Sequence, residues 1–236
     1  LPKNWPAQIP YLTGPLYSPR LTAAHLAAIR TRPLPPAETD TDIVVGTFEI
    51  PRGLKPGPSA AVRITPITDP SHPAHGQCGL FAVRDLKPGE LVVPYFGEVH
   101  VGSGPDAISE GEDEHAASDY DLWLDRDGNV AVDAARAGNE ARFINDYRGV
   151  PVSSGASSYS SSRPAEGLGG LTRARPNAEF RAVWDPRLCQ CRGEMTMAVF
   201  VLPAGKKKRQ RKDGTQGGIA KGEEVLVSYG KGFWGE

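Results

Sequence analysis

The chain has 236 residues, 39% hydrophobic and 23% charged, with a formal net charge of −1. That length suits one sizeable core with a flank, and the near-neutral balance lacks the basic footprint of a nucleic-acid or anionic-membrane binder. Three cysteines are too few for a disulfide framework, the Cys189-x-Cys191 pair lacks partners for a zinc site, and no run of 18 apolar residues exists, so a reducing compartment, no metal and no membrane span are expected.

In chain order, residues 1–18 are rich in Pro and aromatics without periodicity and read as an extended arm. The chain begins at Leu1 rather than Met, as a piece of a longer protein would. Ser18-Pro19 reads as a helix start, with Leu21, Ala24, Ala28 and Ile29 on one face of a helix running to Arg30. The 27 Gly and 22 Pro residues then favour short strands and turns. The expected strands are Ile43–Ile50, Ala61–Ile67, Gly79–Ala82, Leu91–Val101, Tyr120–Leu124 and Val130–Asp133. Asp127-Gly128 signals a hairpin turn, and Ala134–Ile144 reads as a short helix. A second β region covers Ala178–Trp184, Glu194–Leu202 and Glu224–Tyr229. Residues 1–60 are thus a flanking arm and helix packed on a domain of residues 61–236, with inserted loops at 102–119, 148–175 and 204–218.

Four segments, in order, resemble the SET family of protein-lysine methyltransferases. The first is His75-Gly76-Gln77-Cys78-Gly79-Leu80-Phe81-Ala82, followed by Lys87 to Glu98. The second is Asp119-Tyr120-Asp121-Leu122-Trp123-Leu124. The third is Asn139 to Asn145, completed after an insertion by Arg175-Pro176-Asn177-Ala178-Glu179-Phe180. The fourth is Ile219 to Gly230, containing Val227-Ser228-Tyr229. The resemblance implies a mainly β fold, the SET β-clip of several small sheets with a pseudoknot and short helices.

It also implies an enzyme that moves a methyl group from S-adenosylmethionine to a lysine side chain. Gln77, Cys78, Gly79 and Leu80 would line the cofactor, chiefly through main-chain atoms, because a Gly-rich turn admits close backbone approach. Gln77 stands where the family has its first Gly, so the turn is made without it or is shifted by one. Arg142, Phe143 and Asn145 resemble the family's Arg-Phe-x-Asn-His-Ser run, with Asp146 in place of His; its charge could pair with the cofactor's ammonium. Tyr229 is the expected catalytic residue and a cofactor contact, aligning amine and donor for direct displacement. Tyr120 is expected to share the catalytic, cofactor and substrate roles. Tyr95, Val227 and Phe233 are expected on the lysine side, where aromatic faces favour a cationic amine. Trp234 would stack on the adenine.

The expected partner is a lysine-containing protein or peptide, with a histone tail favoured. Asp106, Glu110, Glu112, Asp113 and Glu114 would attract such a basic segment. The Lys206–Lys212 run suggests a weak nucleic-acid contact or a nuclear-import patch. A nuclear location follows from the histone reading, with the cytoplasm as alternative. Two rival readings stand beside it: methylation of a non-histone protein, and a SET-like binding module without catalysis, which Gln77 and Asp146 would favour.

Overall fold

Short apolar runs interrupted by Gly, Pro and Asp cannot propagate a helix, and alternation along them buries one face of a strand. The computed structural model describes residues 1–33, 49–102, 115, 117–151, 174–203 and 217–229. Its elements begin with β1 (Leu16–Tyr17) and α1 (Ala23–Arg30). There follow β2 (Val62–Pro66), β3 (Cys78–Ala82), β4 (Leu91–Tyr95), β5 (Glu98–Val101), β6 (Asp121–Asp125) and β7 (Val130–Asp133). A 3₁₀ turn at Glu140–Phe143 leads into β8 (Asn145–Asp146). The remaining strands are β9 (Ala178–Asp185), β10 (Glu194–Val201) and β11 (Leu226–Val227).

These strands form several small sheets, ordered β1-β5-β7-β6, β4-β10-β9, β11-β8 and β2-β3. The mainly β expectation holds. Ile64, Leu80, Val130, Ile144, Val199, Ile219 and Val227 share one core cluster. Each such side chain contributes about 1.5–3 kcal/mol when fully buried.

The flank is built into this arrangement. Leu16 and Tyr17 extend a sheet by pairing in parallel with β5. The Tyr17 hydroxyl donates to Glu194 at 2.5 Å, and Arg30 donates to the same carboxylate at 2.9 Å. Glu194 is 1% exposed, so these two donors satisfy a buried charge that would otherwise be costly.

Four local expectations are corrected. The helix starts later, with Thr22 as N-cap in a reciprocal capping box with His25, because the Ser18 N–H continues strand pairing to Val99. Leu91–Val101 is two strands in different sheets, β4 pairing with β10 and β5 with β7. Ala134–Ile144 holds only the 3₁₀ turn; the Asn139 side chain instead spends its amide on Pro94 and Phe96 main chain. Within Glu224–Tyr229 only Leu226 and Val227 form a strand, although Glu224 makes an isolated bridge to Phe81. Of the expected strand at 43–50, residues 43–48 lie outside the described residues.

Candidate active site

β8 and β11 pair in parallel, Asn145 beside Leu226 and Asp146 beside Val227. Tyr147 N–H continues the pairing to the Val227 carbonyl at 3.0 Å. Asn177 closes the other side of β11: its amide accepts the Leu226 N–H and donates to the Glu224 carbonyl, both at 2.8 Å. The third and fourth motif segments thus meet on one short ladder, and their side chains diverge from it.

On one side, Asn145 Nδ2 donates to Glu224 Oε1 at 2.8 Å and lies 3.5 Å from the Cys78 carbonyl. Glu224 Oε2 is 3.0 Å from His72 Nε2, and both residues are buried. His72 Nδ1 accepts the Ala74 N–H, so Nε2 carries the proton and donates to the carboxylate. Gly79 sits against this group: a Cβ there would lie 2.5 Å from Glu224 Oε1. The turn before β3 uses its other glycine one position early, with Gly76 at φ +82, a left-handed conformation that Gln77 could adopt only under strain. Gln77 is exposed, Cys78 half-buried, and Leu80 fully in the core. The Leu80 carbonyl accepts the Val225 N–H.

On the other side, Asp146 is buried and its carboxylate accepts three hydrogen bonds. They come from Arg148 N–H, Arg148 Nη1 and Tyr229 N–H, each at 2.8 Å. The Tyr229 hydroxyl donates to the Ile144 carbonyl. Tyr229 lines a cleft with Tyr95, Tyr120, Phe180, Ile144 and Arg142, and Asp119 and Asp121 join the same lining. Tyr95 donates to the Tyr120 carbonyl at 2.6 Å and meets Phe180 edge-on at 5.5 Å. The Arg142 guanidinium stacks 4.5 Å from the Tyr120 ring centre while Nε donates to the Ala134 carbonyl. Burial, then the neighbouring Tyr120 and Asp146, pushes the Tyr229 phenol above its ordinary pKa. Burial, then Tyr229, does the same at Tyr95. Both phenols stay protonated at neutral pH.

Behind Tyr120, His100 Nε2 lies 2.9 Å from Asp121 Oδ1, and its Nδ1 lies 2.9 Å from the Val101 carbonyl. Both ring nitrogens face acceptors, which only the imidazolium satisfies. Burial opposes that charge, but the hydrogen bond to Asp121 and its charge outweigh burial and raise the His100 pKa. His115 stacks on it at 3.6 Å and bonds Asp133 at 2.7 Å.

No family model matches the chain. Over 71 residues it is 37% identical to the histone-lysine N-methyltransferase trithorax of Drosophila melanogaster, and equally so to that of Drosophila virilis. The match takes in 30% of this chain and 2% of each relative. This likeness agrees with the SET resemblance carried by the four sequence segments. Among solved structures, the polycomb repressive complex 2 of Chaetomium thermophilum bound to GSK126 is similar at 19% identity and a TM-score of 0.41, over 72% of this chain and 16% of that one. A ctPRC2 structure in an autoinhibited conformation bound to S-adenosylmethionine is similar at 21% identity and a TM-score of 0.41, over 72% and 15%.

Of the SET-derived expectations, Tyr95, Tyr120, Arg142 and Tyr229 come together at the cleft. Gln77, Cys78, Gly79 and Asn145 gather on the opposite side of β8. Phe143 packs edge-on against Trp5 at 5.8 Å. Val227 lies in the core, 0% exposed. Phe233, Trp234, Lys206–Lys212 and the acidic positions Asp106, Glu110, Glu112, Asp113 and Glu114 lie outside the described residues. The sequence reading passes over Glu224, His72 and Phe180 as site residues. Glu224 sits in a Lys-Gly-Glu-Glu run that signals only a turn into a strand, and a lone His72 carries no pattern. Phe180 closes the quoted third segment, and strand alternation could have placed it on the face of Ala178.

Proposed function

We propose that this SET chain is a protein-lysine N-methyltransferase that takes S-adenosylmethionine and methylates a histone tail. The observation that carries the reading is the convergence of three tyrosines, Tyr95, Tyr120 and Tyr229, on one cleft beside the β8–β11 ladder. S-adenosylmethionine supplies a methyl group on a positively charged sulfur. Gln77, Cys78, Gly79 and Asn145 would hold it. They fit such a ligand as main-chain and amide groups above a buried carboxylate, which favours a nearby cation.

The cleft's own residues supply the rest. A lysine ammonium has no lone pair and must lose its proton before reaction. An apolar aromatic wall lowers the amine's pKa by penalising its charged form. The Tyr229 hydroxyl donates its hydrogen bond to the Ile144 carbonyl, so its oxygen lone pairs are left to accept an N–H from the substrate amine. A phenol fixed in this way orients the amine, and orientation is a large part of a direct displacement. Asp119 and Asp121 line the same cleft and suit a basic peptide.

The test is label transfer from tritiated S-adenosylmethionine to purified core histones, run beside whole-cell protein extract. The expected result is histone labelling that Tyr229→Phe lowers by about 100-fold. Label confined to other proteins in the extract would move the substrate away from histones. Thermal unfolding gives a second readout: cofactor at ~100 times its Kd stabilises by about 2.7 kcal/mol, a midpoint rise of roughly 5–10 °C. Neither label nor shift would leave the binding-module reading.

A further inference from the structure

Asp146 stands where the resemblance places a histidine, and its surroundings give it a role. The side chain is 5% exposed, and a carboxylate so buried must be paired. Arg148 pairs it twice, through Nη1 and through its own N–H. The third bond is the informative one, because Asp146 Oδ2 accepts the main-chain N–H of Tyr229 at 2.8 Å. Tyr229 lies two residues past Val227, the last residue of β11.

The other end of Tyr229 is gripped by the same segment. Its hydroxyl donates to the carbonyl of Ile144, two residues before Asp146. Residues 144 and 146 therefore fix both ends of the tyrosine, one at the main chain and one at the phenol. A bond from N–H to an ionised acceptor is stronger than a neutral one, so the main-chain anchor is the firmer of the two kinds.

We propose that Asp146, held by Arg148, is a positioning residue that sets the place of the Tyr229 hydroxyl through the Tyr229 main chain, and is not a contact for the cofactor's ammonium. This rests on the methyltransferase reading above. An imidazole at this position would offer one acceptor nitrogen and no charge when neutral. The carboxylate accepts from Tyr229 and from Arg148 at once.

The experiment is a double-mutant cycle on core histones with tritiated S-adenosylmethionine, using the wild-type chain, Asp146→Ala, Tyr229→Phe and the pair. Asp146→Ala should lower kcat by about 100-fold, the scale set by misplacing a reacting group. The KM for S-adenosylmethionine should stay within about twofold, the mark of a loss felt only in the transition state. On the Tyr229→Phe background, Asp146→Ala should remove little more, because residues acting through one group are non-additive. Asp146→Asn keeps an acceptor for the Tyr229 N–H and should recover most of the rate. Additive losses, or a raised KM for S-adenosylmethionine with kcat unchanged, would overturn the proposal. If Asp146→Ala does not fold, Arg148→Ala decides in its place by the same kcat-against-KM criterion. Amide exchange at Tyr229 separates this inference from the reading it rests on. If the wild-type chain transfers no methyl, the methyltransferase reading falls, and the anchor is judged by that amide alone. It should be protected in the wild-type chain and exchange about tenfold faster in Arg148→Ala, as for a locally opened hydrogen bond. A fast-exchanging wild-type amide would overturn it.

Discussion

Asn145 and Asp146 are neighbours in a two-residue strand, yet they serve opposite sides of it. Asn145 joins a buried polar group of Glu224, His72 and the Cys78 carbonyl. Asp146 holds Tyr229 at the mouth of an aromatic cleft. Strand geometry sends successive side chains to opposite faces, so one short motif supplies a polar wall and an aligning anchor. The lesson is that the two halves of the site can fail separately, and each can be tested alone.

The largest expected effect is on the polar side. Glu224→Leu leaves the buried His72 N–H and the half-buried Asn145 amide without their shared acceptor, and should cost about 3 kcal/mol of stability. Urea unfolding checks it, and an unchanged midpoint would show that this group does not hold the polar wall. Next comes Gly79→Ala. The new Cβ would press on Glu224 Oε1 at 2.5 Å and on Asn145 Nδ2 at 3.2 Å, which should cost about 1–3 kcal/mol as overpacking does. Its stability loss should come with weaker S-adenosylmethionine binding by calorimetry, while Tyr229 amide protection survives. Loss of both would join the two sides into one unit.

On the cleft side the effects are smaller. Tyr95→Phe removes the donor to the Tyr120 carbonyl and should cost about 1 kcal/mol, read by the same urea titration. The smallest is a pH effect. His100 has a raised folded pKa, held up by Asp121. Its stabilisation is complete below the unfolded value of about 6.5 and is lost as pH rises through the folded value. The unfolding midpoint should therefore fall between neutral and mildly alkaline pH, and Asp121→Asn should flatten that fall. An unflattened profile would place the pH sensitivity elsewhere.

The parts legible in the sequence are those that chain-local patterns carry. Short apolar runs bounded by Gly, Pro, Asn or Asp mark β3, β7 and β10, and the SET resemblance points to Tyr229, Tyr120 and Tyr95, which line one cleft. What the sequence hides is where a side chain overrides a local signal. Ser18-Pro19 has a good helix-start pattern, but pairing of the Ser18 N–H with β5 delays the helix to Thr22. Leu91–Val101 reads as one apolar strand, but its halves enter two sheets. Asp146 reads as a substitution near a cofactor, and only its distance to Tyr229 N–H, 83 residues away in the chain, discloses the anchor. Glu224 is hidden for the same reason, since its partners His72 and Asn145 come from separate segments.

The Glu194 carboxylate under the N-terminal flank bears on how this protein can be dissected. A boundary drawn where the first SET motif begins would remove both Tyr17 and Arg30, which together satisfy that acid. The shortened chain would be left with a stranded acid at the first residue of β10, paired with Asp185 of β9. It would have to protonate it, hydrate it or open the sheet around it. The smallest autonomous unit therefore starts before Leu16, and a shorter truncation that folds poorly would report a stranded charge rather than a defect in the Tyr229 cleft.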